Sequence, residues 1–289
     1  MLWVLLAVVS GFFNASKDTF QKRAAIHADD YVIALSVWLF ALPVFLIALA
    51  IDGIPIIGNG FWLAVVLSAA FNSFAYVLGA RALRVSPISI VGPMLALTPA
   101  WLLLLGPLLI GENPTVWGAG GVLLVMAGTY FMRFGERKKG FLEPFKALAR
   151  EPGVRMMIVV TFLFGISSIL DKIALKASSP VFYITILSIL LSAILFTMAR
   201  IKSKSIKPMI TKVKHLVPIG VLFGLSLIAQ MIAFSLTIVV YATSLKRSDM
   251  LFSIIYGKLL FKEKEIKSRL LGASIMLAGA LLIIFKGRA

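Results

Sequence analysis

Three charged residues interrupt an apolar stretch near the C-terminal end of the chain. Lys246, Arg247 and Asp249 lie within residues 245–262, among mostly aliphatic and aromatic neighbours. Arginine binds phosphate or carboxylate through its planar fork, and lysine binds the same groups as a point charge. The Lys246–Arg247 pair therefore favours binding of an anionic group. Asp249 offsets part of that positive field and is itself a candidate proton carrier.

A second interpretation of these charges is structural. On a continuous helix at about 100° per residue, Lys246 and Asp249 lie within roughly 60° of each other, and Ser253 shares their stripe. A Lys246–Asp249 ion pair would neutralise itself and hold its helix in place. The sequence alone leaves both interpretations open.

Further polar side chains stand alone inside apolar runs and form a second tier of candidate binding residues. Each is able to hydrogen-bond either a ligand or a neighbouring helix. They are Asn14, Asn72, Tyr76 and Gln230. Two charged pairs, Lys17–Asp18 and Asp171–Lys172, fall near the ends of apolar runs, so we expect their side chains to reach out to the membrane interface.

The composition identifies the environment of these residues. Of 289 residues, 60% are apolar and 14% are charged, and the mean hydropathy is +1.00. A soluble domain carries about 25% charged residues, so this chain has too few charges to cover a water-exposed surface. With no Cys, two His, no phosphate-binding loop and no Ser/His/Asp arrangement, we expect no metal site, no cofactor and no enzymatic centre.

The positioning elements are membrane-spanning helices, each of which needs about 20 mostly apolar residues. Nine runs free of Asp, Glu, Lys and Arg qualify alone or with flanking residues: 1–16, 31–51, 53–80, 85–111, 113–132, 156–170, 177–199, 215–245 and 270–285. A tenth segment, 236–262, holds the three charges described above.

An internal repeat indicates that this tenth segment also spans. A shift of 151 places Gly106 on Gly257 and Glu112 on Glu263, and it aligns further positions as well. The chain therefore divides into residues 1–133, a charged linker at 134–152, and residues 153–289. Five helices per half give the second half the opposite orientation, so we predict an all-α protein of ten transmembrane helices, built as two inverted repeats around a central cavity.

The basic residues indicate the orientation. In the ten-helix arrangement, 23 of the 29 Lys and Arg residues fall on one side, 4 on the other, and Lys246 and Arg247 lie within the membrane. Because basic loops face the cytoplasm, we predict an integral cell-membrane protein with both termini outside. The same count explains the net charge of +17 without a nucleic-acid partner.

Prolines and glycines mark two of the helices. Pro93 and Pro99 would each remove a hydrogen bond within the fourth helix, so we predict a kinked helix that lines the cavity. Two pairs of glycines seven residues apart predict a packing face of small residues. These pairs are Gly121 with Gly128 and Gly272 with Gly279.

The order of motifs in the two halves resembles the repeat of the drug/metabolite transporter superfamily, EamA type. The first copy runs from Ser86-Pro87-Ile88-Ser89 through Gly92-Pro93, Leu97-Thr98-Pro99 and Gly111-Glu112, and the second ends in Gly257, Glu263, Gly272 and Gly279. This resemblance implies a ten-helix carrier of metabolites or drugs. The Lys246–Arg247 pair is also similar to the pair that plastid phosphate translocators of this superfamily use on phosphate.

Together these features predict a secondary transporter of a small organic metabolite, anionic or zwitterionic, that works by alternating access. We expect a monomer in the lipid bilayer whose partners are the substrate and a coupling proton or ion. An exporter of drugs or amphipathic cations is the alternative within transport. A non-transporting scaffold or lipid-handling protein is the alternative of another class.

Overall fold

The computed structural model describes residues 1–24, 28–86, 92–134, 151–203, 205–261 and 267–287. Throughout these ranges the regular elements are helical, with no strand. The linker predicted at 134–152 lies almost entirely outside them, and so do His27 and Glu263. The α-helices in chain order are α1 Leu2–Ala24, α2 Asp30–Leu39, α3 Leu42–Asp52, α4 Phe61–Val85, α5 Thr98–Ile110, α6 Val116–Phe134, α7 Pro152–Lys176, α8 Pro180–Lys202, α9 Pro208–Thr211, α10 Val213–Leu236, α11 Val239–Lys246, α12 Asp249–Phe261 and α13 Lys267–Lys286.

Five helical segments in this part of the chain are long and apolar enough to cross a membrane. They are Asp30–Asp52, Phe61–Gly79, Pro152–Lys176, Pro180–Lys202 and Val213–Leu236. Three further helices are apolar but shorter, namely Met94–Ile110, Val116–Phe131 and Leu271–Lys286. The all-helical prediction is therefore confirmed for the described residues.

The helices form two compact units. The first comprises Met1–Ser73, Leu170–Thr237 and Ser248–Ser253, and the second comprises Phe74–Ile169, Ile238–Arg247 and Ile254–Ala289. Each unit draws segments from both halves of the sequence. The compact units therefore differ from the sequence repeats, whose boundaries at 1–133 and 153–289 remain a prediction.

In the first unit, capping residues fix where helices begin. Asp29 precedes α2, and its carboxylate accepts hydrogen bonds from the N–H groups of Tyr31 and Val32, each at 3.1 Å. Ser179 precedes α8 and accepts from the N–H of Phe182 at 3.2 Å. These side chains satisfy N–H groups that the first turn of a helix leaves without a partner.

Two groups of contacts define the ends of the first unit. At one end Gly58 N–H donates to the carbonyl of Ala177 at 2.7 Å, and Ser179 Oγ donates to Asp52 Oδ2 at 2.9 Å. At the other end, Ser203 Oγ donates to Asp29. The C-terminus of α3 thus lies beside the N-terminus of α8, and the N-terminus of α2 lies beside the C-terminus of α8.

The second unit has an equivalent pair of ends. At one end Ser86 Oγ, just after α4, donates to Glu151 Oε2 at 2.7 Å and accepts from the N–H of Gly153 at 3.2 Å. At the other end, Thr115 Oγ1 donates to the carbonyl of Lys286 at 3.1 Å. Glu112 follows α5 there, and its Oε2 accepts the N–H of Val239 at 2.7 Å, which supplies a side-chain acceptor to the N-terminus of α11.

Within the second unit, α6 and α13 pack through their glycines. A Cβ on Gly121 would come within 2.8 Å of the carbonyl oxygen of Gly279, and one on Gly279 within 2.6 Å of the carbonyl oxygen of Gly121. Gly128 has the same close relationship to the carbonyl oxygen of Gly272, at 2.6 Å. The predicted packing face of small residues is confirmed.

Candidate functional site

The predicted ninth helix is broken at its charged residues. Helix α11 ends at Lys246 and α12 begins at Asp249, so the structure replaces one continuous helix with two. Arg247 N–H turns back to the carbonyl of Ser244 at 3.1 Å, three residues earlier. Lys246 therefore ends one helix and Asp249 begins the next, and Ser253 Oγ donates to the carbonyl of Asp249 at 2.8 Å within α12.

The charges at this break complement the helix ends on which they lie. Lys246 is in the last turn of α11, and Asp249 is in the first turn of α12. A cation near a helix C-terminus and an anion near an N-terminus each interact favourably with the helix dipole. The chain therefore neutralises both ends of the break with its own side chains.

Two residues predicted separately as site residues come together in the first unit. Asn14 Nδ2 on α1 donates to Asp249 Oδ2 at 2.9 Å. The side chain of Asp249 is buried, and next to this pair the rings of Phe12 and Phe252 pack edge to face with centroids 5.4 Å apart. An amide thus supports a buried carboxylate at the start of a helix.

Arg247 has its observed contact in the second unit. Its Nη2 donates to the carbonyl oxygen of Leu95 at 3.2 Å, and the side chain is half-buried. Leu95 belongs to a 3₁₀ helix at Gly92–Leu97. A guanidinium carries five N–H donors in a fixed fork, so a contact to one carbonyl is compatible with binding of an anion by the same group.

The two predicted prolines lie in and just after this 3₁₀ helix. Pro93 is within Gly92–Leu97, and Pro99 is in the first turn of α5. A proline in the first turn breaks no internal hydrogen bond, so Pro99 marks the start of a helix in place of the expected kink. Pro107 is the proline that lies inside α5.

The remaining predicted residues occupy different surroundings. Gln230 is buried in α10 of the first unit. Asn72 Nδ2 on α4 donates to the carbonyl and the hydroxyl of Ser68 at 2.9 and 3.1 Å. In the second unit, the Tyr76 ring meets Phe164 edge to face with centroids 5.8 Å apart.

The buried carboxylate of Asp171, which the sequence predicted at the membrane interface, extends the Asn72 contact. Asp171 on α7 is 8% exposed. It accepts hydrogen bonds from Ser68 Oγ at 2.7 Å and from the hydroxyl of Tyr183 on α8. Tyr183 also lies 3.3 Å from Ser68 Oγ. Asn72, Ser68, Asp171 and Tyr183 thus form one polar cluster, called here the Asp171 cluster.

The neighbouring Lys172 is buried too. It is 6% exposed, and its Nζ donates to the carbonyls of Phe234 and Thr237, the latter at 2.8 Å. The interface expectation for Asp171 and Lys172 is therefore wrong, since both side chains are satisfied inside the protein. By contrast, Lys17 and Asp18 form an ion pair of 2.6 Å in which Asp18 is 52% exposed.

No group of three His, Cys, Asp or Glu side chains that could hold a metal ion occurs among the described residues.

The comparison with known proteins gives a clear assignment. The model of the EamA-like transporter family matches twice, over residues 1–134 and 151–285. The chain belongs to the EamA-like transporter family.

The fold of this EamA-like protein also occurs in a solved structure. That crystal structure has a TM-score of 0.82 at 15% sequence identity, and the alignment covers 99% of this chain and 97% of the other. This similarity supports the fold and carries no information on substrate. No curated protein matches the chain.

Family membership has two direct consequences. The EamA-like family, of the drug/metabolite transporter superfamily, consists of transporters and not of enzymes. Together with the five membrane-spanning segments, it makes this chain an integral membrane transporter. Neither consequence depends on the individual site residues.

Proposed function

We propose that this EamA-like protein is a secondary transporter that carries a small anionic or zwitterionic metabolite by alternating access. It would consist of ten transmembrane helices, arranged as two inverted five-helix repeats around a central cavity. In such carriers the halves rock about a fixed binding site. We further propose that the monomer is functional and that a proton or ion drives transport.

Contacts between loops support ten crossings. In the ten-helix scheme each loop is numbered by the two helices that it joins, and loops whose first number is even lie on the opposite side of the membrane from loops whose first number is odd. In the first unit, loop 2–3 contacts loop 6–7 through Gly58 and Ala177. Loop 1–2 contacts loop 7–8 through Asp29 and Ser203, so each of these loops meets one on its own side. A chain that crosses the membrane at every helix must alternate in this way.

The second unit follows the same rule. Loops 3–4 and 5–6 meet through Ser86 and Glu151. Loop 4–5 meets loop 8–9 through Glu112 and Val239, and it meets the C-terminal end through Thr115. This pairing needs α11 and α12 to act together as one crossing, despite the break between them.

Charge supports the anionic or zwitterionic preference. Lys246 at the end of α11 and Arg247 directly after it are both half-buried, and ionisable side chains within a membrane-spanning segment are costly and mark functional sites by default. We assign them to the anionic group of the substrate. Asp249, held by Asn14, would receive a hydroxyl or ammonium group of a zwitterion. Ser253, Gln230, Asn72 and Tyr76 would supply further hydrogen bonds, and the segment containing Pro93 and Pro99 would line the cavity.

One observation favours the second candidate, an exporter of amphipathic cations. Asp171 and Asp249 are both buried carboxylates, and a carboxylate at membrane depth is a natural partner for a cation. This alternative predicts that Lys246 and Arg247 are dispensable. A non-transporting scaffold or lipid-handling protein would exchange no solute at all.

The test is solute uptake into proteoliposomes that contain the purified full chain. Radiolabelled inorganic phosphate, glycerol phosphate, succinate, alanine and tetraphenylphosphonium are offered separately. We expect uptake of at least one anion or zwitterion, reduced roughly tenfold or more by Lys246→Ala or Arg247→Ala, because loss of a hydrogen bond to a charged group costs about 1.5–3 kcal/mol.

The matched control is Lys202→Ala, which removes an exposed lysine from the end of α8. This variant should transport as the wild type does. Uptake of tetraphenylphosphonium alone, unchanged in both site variants, would support the cation exporter. A thermal-shift screen of the same solutes, wild type against Lys246→Ala, gives an independent measure of binding.

A further inference from the structure

The Asp171 cluster lies in the first unit and joins three membrane-spanning helices. Asp171 is on α7, Tyr183 is on α8, and Ser68 and Asn72 are on α4. Both the Ser68 and Tyr183 hydroxyls donate to the same carboxylate oxygen, Oδ1. Asn72 donates in turn to Ser68 Oγ at 3.1 Å. A single carboxylate is thus the acceptor that connects α4, α7 and α8.

This arrangement responds to the charge on Asp171. Hydrogen bonds to an ionised acceptor are roughly twice as strong as neutral ones. Adding a proton to the carboxylate therefore weakens the connections to Ser68 and Tyr183. A ligand shifts a conformational equilibrium only if it binds the two states differently. A proton meets that condition here, because it binds more tightly to any conformation in which these hydrogen bonds are weaker.

We propose that Asp171 is the residue that binds and releases the coupling proton of this transporter. The inference rests on the proposed function, since it supplies the ion that a secondary transporter uses. In each cycle a proton from water on one side adds to the carboxylate, and the same proton returns to water on the other side. No other reactant is consumed.

The charged groups around Asp171 favour a proton over a metal cation. Tyr183 faces it from α8, the neutral Ser68 faces it from α4, and the neutral Asn72 donates to Ser68. On its own helix, Lys172 is adjacent and Lys176 is exposed one turn further on. The hydroxyls direct hydrogens at the carboxylate, whereas a metal ion needs their lone pairs, and the adjacent lysine disfavours a second cation. Asp52, held by Ser179, is the exposed carboxylate at this end of the unit.

Infrared spectroscopy of the reconstituted full chain during a pH titration tests proton binding without a known substrate. We expect a carbonyl band of a protonated carboxylic acid that titrates in the wild type and is lost in Asp171→Asn. Asn keeps an acceptor oxygen at the same place. The control Asp52→Asn should retain the band. In Tyr183→Phe the band should move to higher frequency, because one donor is lost.

Persistence of the whole titrating band in Asp171→Asn overturns the inference, and so does a band that Tyr183→Phe leaves in place. The companion measurement uses a pH-sensitive dye inside the proteoliposomes, with whichever solute of the panel the wild type takes up. Solute-driven proton movement should be lost in Asp171→Asn and kept in Asp52→Asn. Solute exchange without proton movement in the wild type overturns the inference and leaves the proposed function intact. Absence of all solute uptake overturns the proposed function and the coupling role with it, even where the band is still assigned to Asp171.

Discussion

Asn14 and Asp249 are 235 positions apart, and the amide of Asn14 donates to the carboxylate of Asp249 at 2.9 Å. Asn14 lies in the middle of α1, and Asp249 opens α12 directly after the break in the predicted ninth crossing. Substrate sites of secondary transporters lie near the membrane midplane at discontinuous helices. The Asn14–Asp249 hydrogen bond joins a candidate binding residue on α1 to the discontinuous helix α12, which comes from the opposite half of the sequence.

Removing the amide should destabilise the protein. We expect Asn14→Ala to lower the free energy of unfolding by about 1–2 kcal/mol, because the buried carboxylate of Asp249 loses a donor. Denaturant unfolding in detergent measures the change. Asn113→Ala, which removes an exposed amide with a long 3.4 Å contact, is the control and should have almost no effect. Strictly additive losses in the double variant Asn14→Ala/Asp249→Asn would contradict a direct interaction.

Lys172 and Lys176 allow a matched comparison on α7. We expect Lys172→Met to lower the free energy of unfolding by about 1.5–3 kcal/mol, since the carbonyls of Phe234 and Thr237 lose a charged donor. Lys176→Met, at an exposed position one turn later, should change it by less than about 0.5 kcal/mol. Equal effects of the two substitutions, measured by thermal and denaturant unfolding, would restore the interface interpretation of Lys172.

The sequence predicted the helical architecture well and the polar interior less well. Runs of apolar residues sufficed for the former, because membrane helices are dictated by local composition. Asp171 and Lys172 were misassigned because distance from a helix end is a local property. Their partners Ser68, Tyr183 and Thr237 come from distant segments. The sequence signal for these contacts was the presence of such isolated polar residues within otherwise apolar runs.

The break at Arg247 was missed for a different reason. Residues 245–250 contain neither proline nor glycine, the residues that usually interrupt a helix. The sequence signal for this break was the order of two opposite charges: the cation Lys246 suits the end of one helix, and the anion Asp249 suits the start of the next. Asn14 was selected for its polarity alone, and its partner Asp249 was not foreseen.

Adjacent glycines on α6 test the close packing of α6 on α13. Gly121→Ala should lower the free energy of unfolding by about 1–3 kcal/mol or more, because the added Cβ would overlap the backbone of Gly279. At Gly120 the nearest atom to a Cβ is a Leu282 methyl at 3.8 Å. Gly120→Ala should therefore be neutral or slightly stabilising. Thermal unfolding of both variants in detergent checks the difference, and a large loss for Gly120→Ala would count against it.

Reporter fusions test the orientation. A green fluorescent protein that fluoresces only in the cytoplasm should be dark when fused to the C-terminus, because the positive-inside rule predicts cytoplasmic basic loops and termini outside. The same reporter fused after Lys207, in the basic loop between α8 and α10, should fluoresce. Fluorescence of the C-terminal fusion would mean that the orientation is the reverse of the one proposed.

Counterflow tests the central claim of alternating access most directly. Proteoliposomes are loaded with an unlabelled anion or zwitterion that the wild type takes up, and the same labelled solute is added outside at low concentration. A carrier whose single site faces one side at a time must return loaded to exchange, so internal solute should accelerate uptake and produce a transient overshoot. Lys246→Ala should abolish this overshoot. Uptake that internal solute leaves unchanged would indicate a channel or a non-transporting protein and contradict the proposed mechanism.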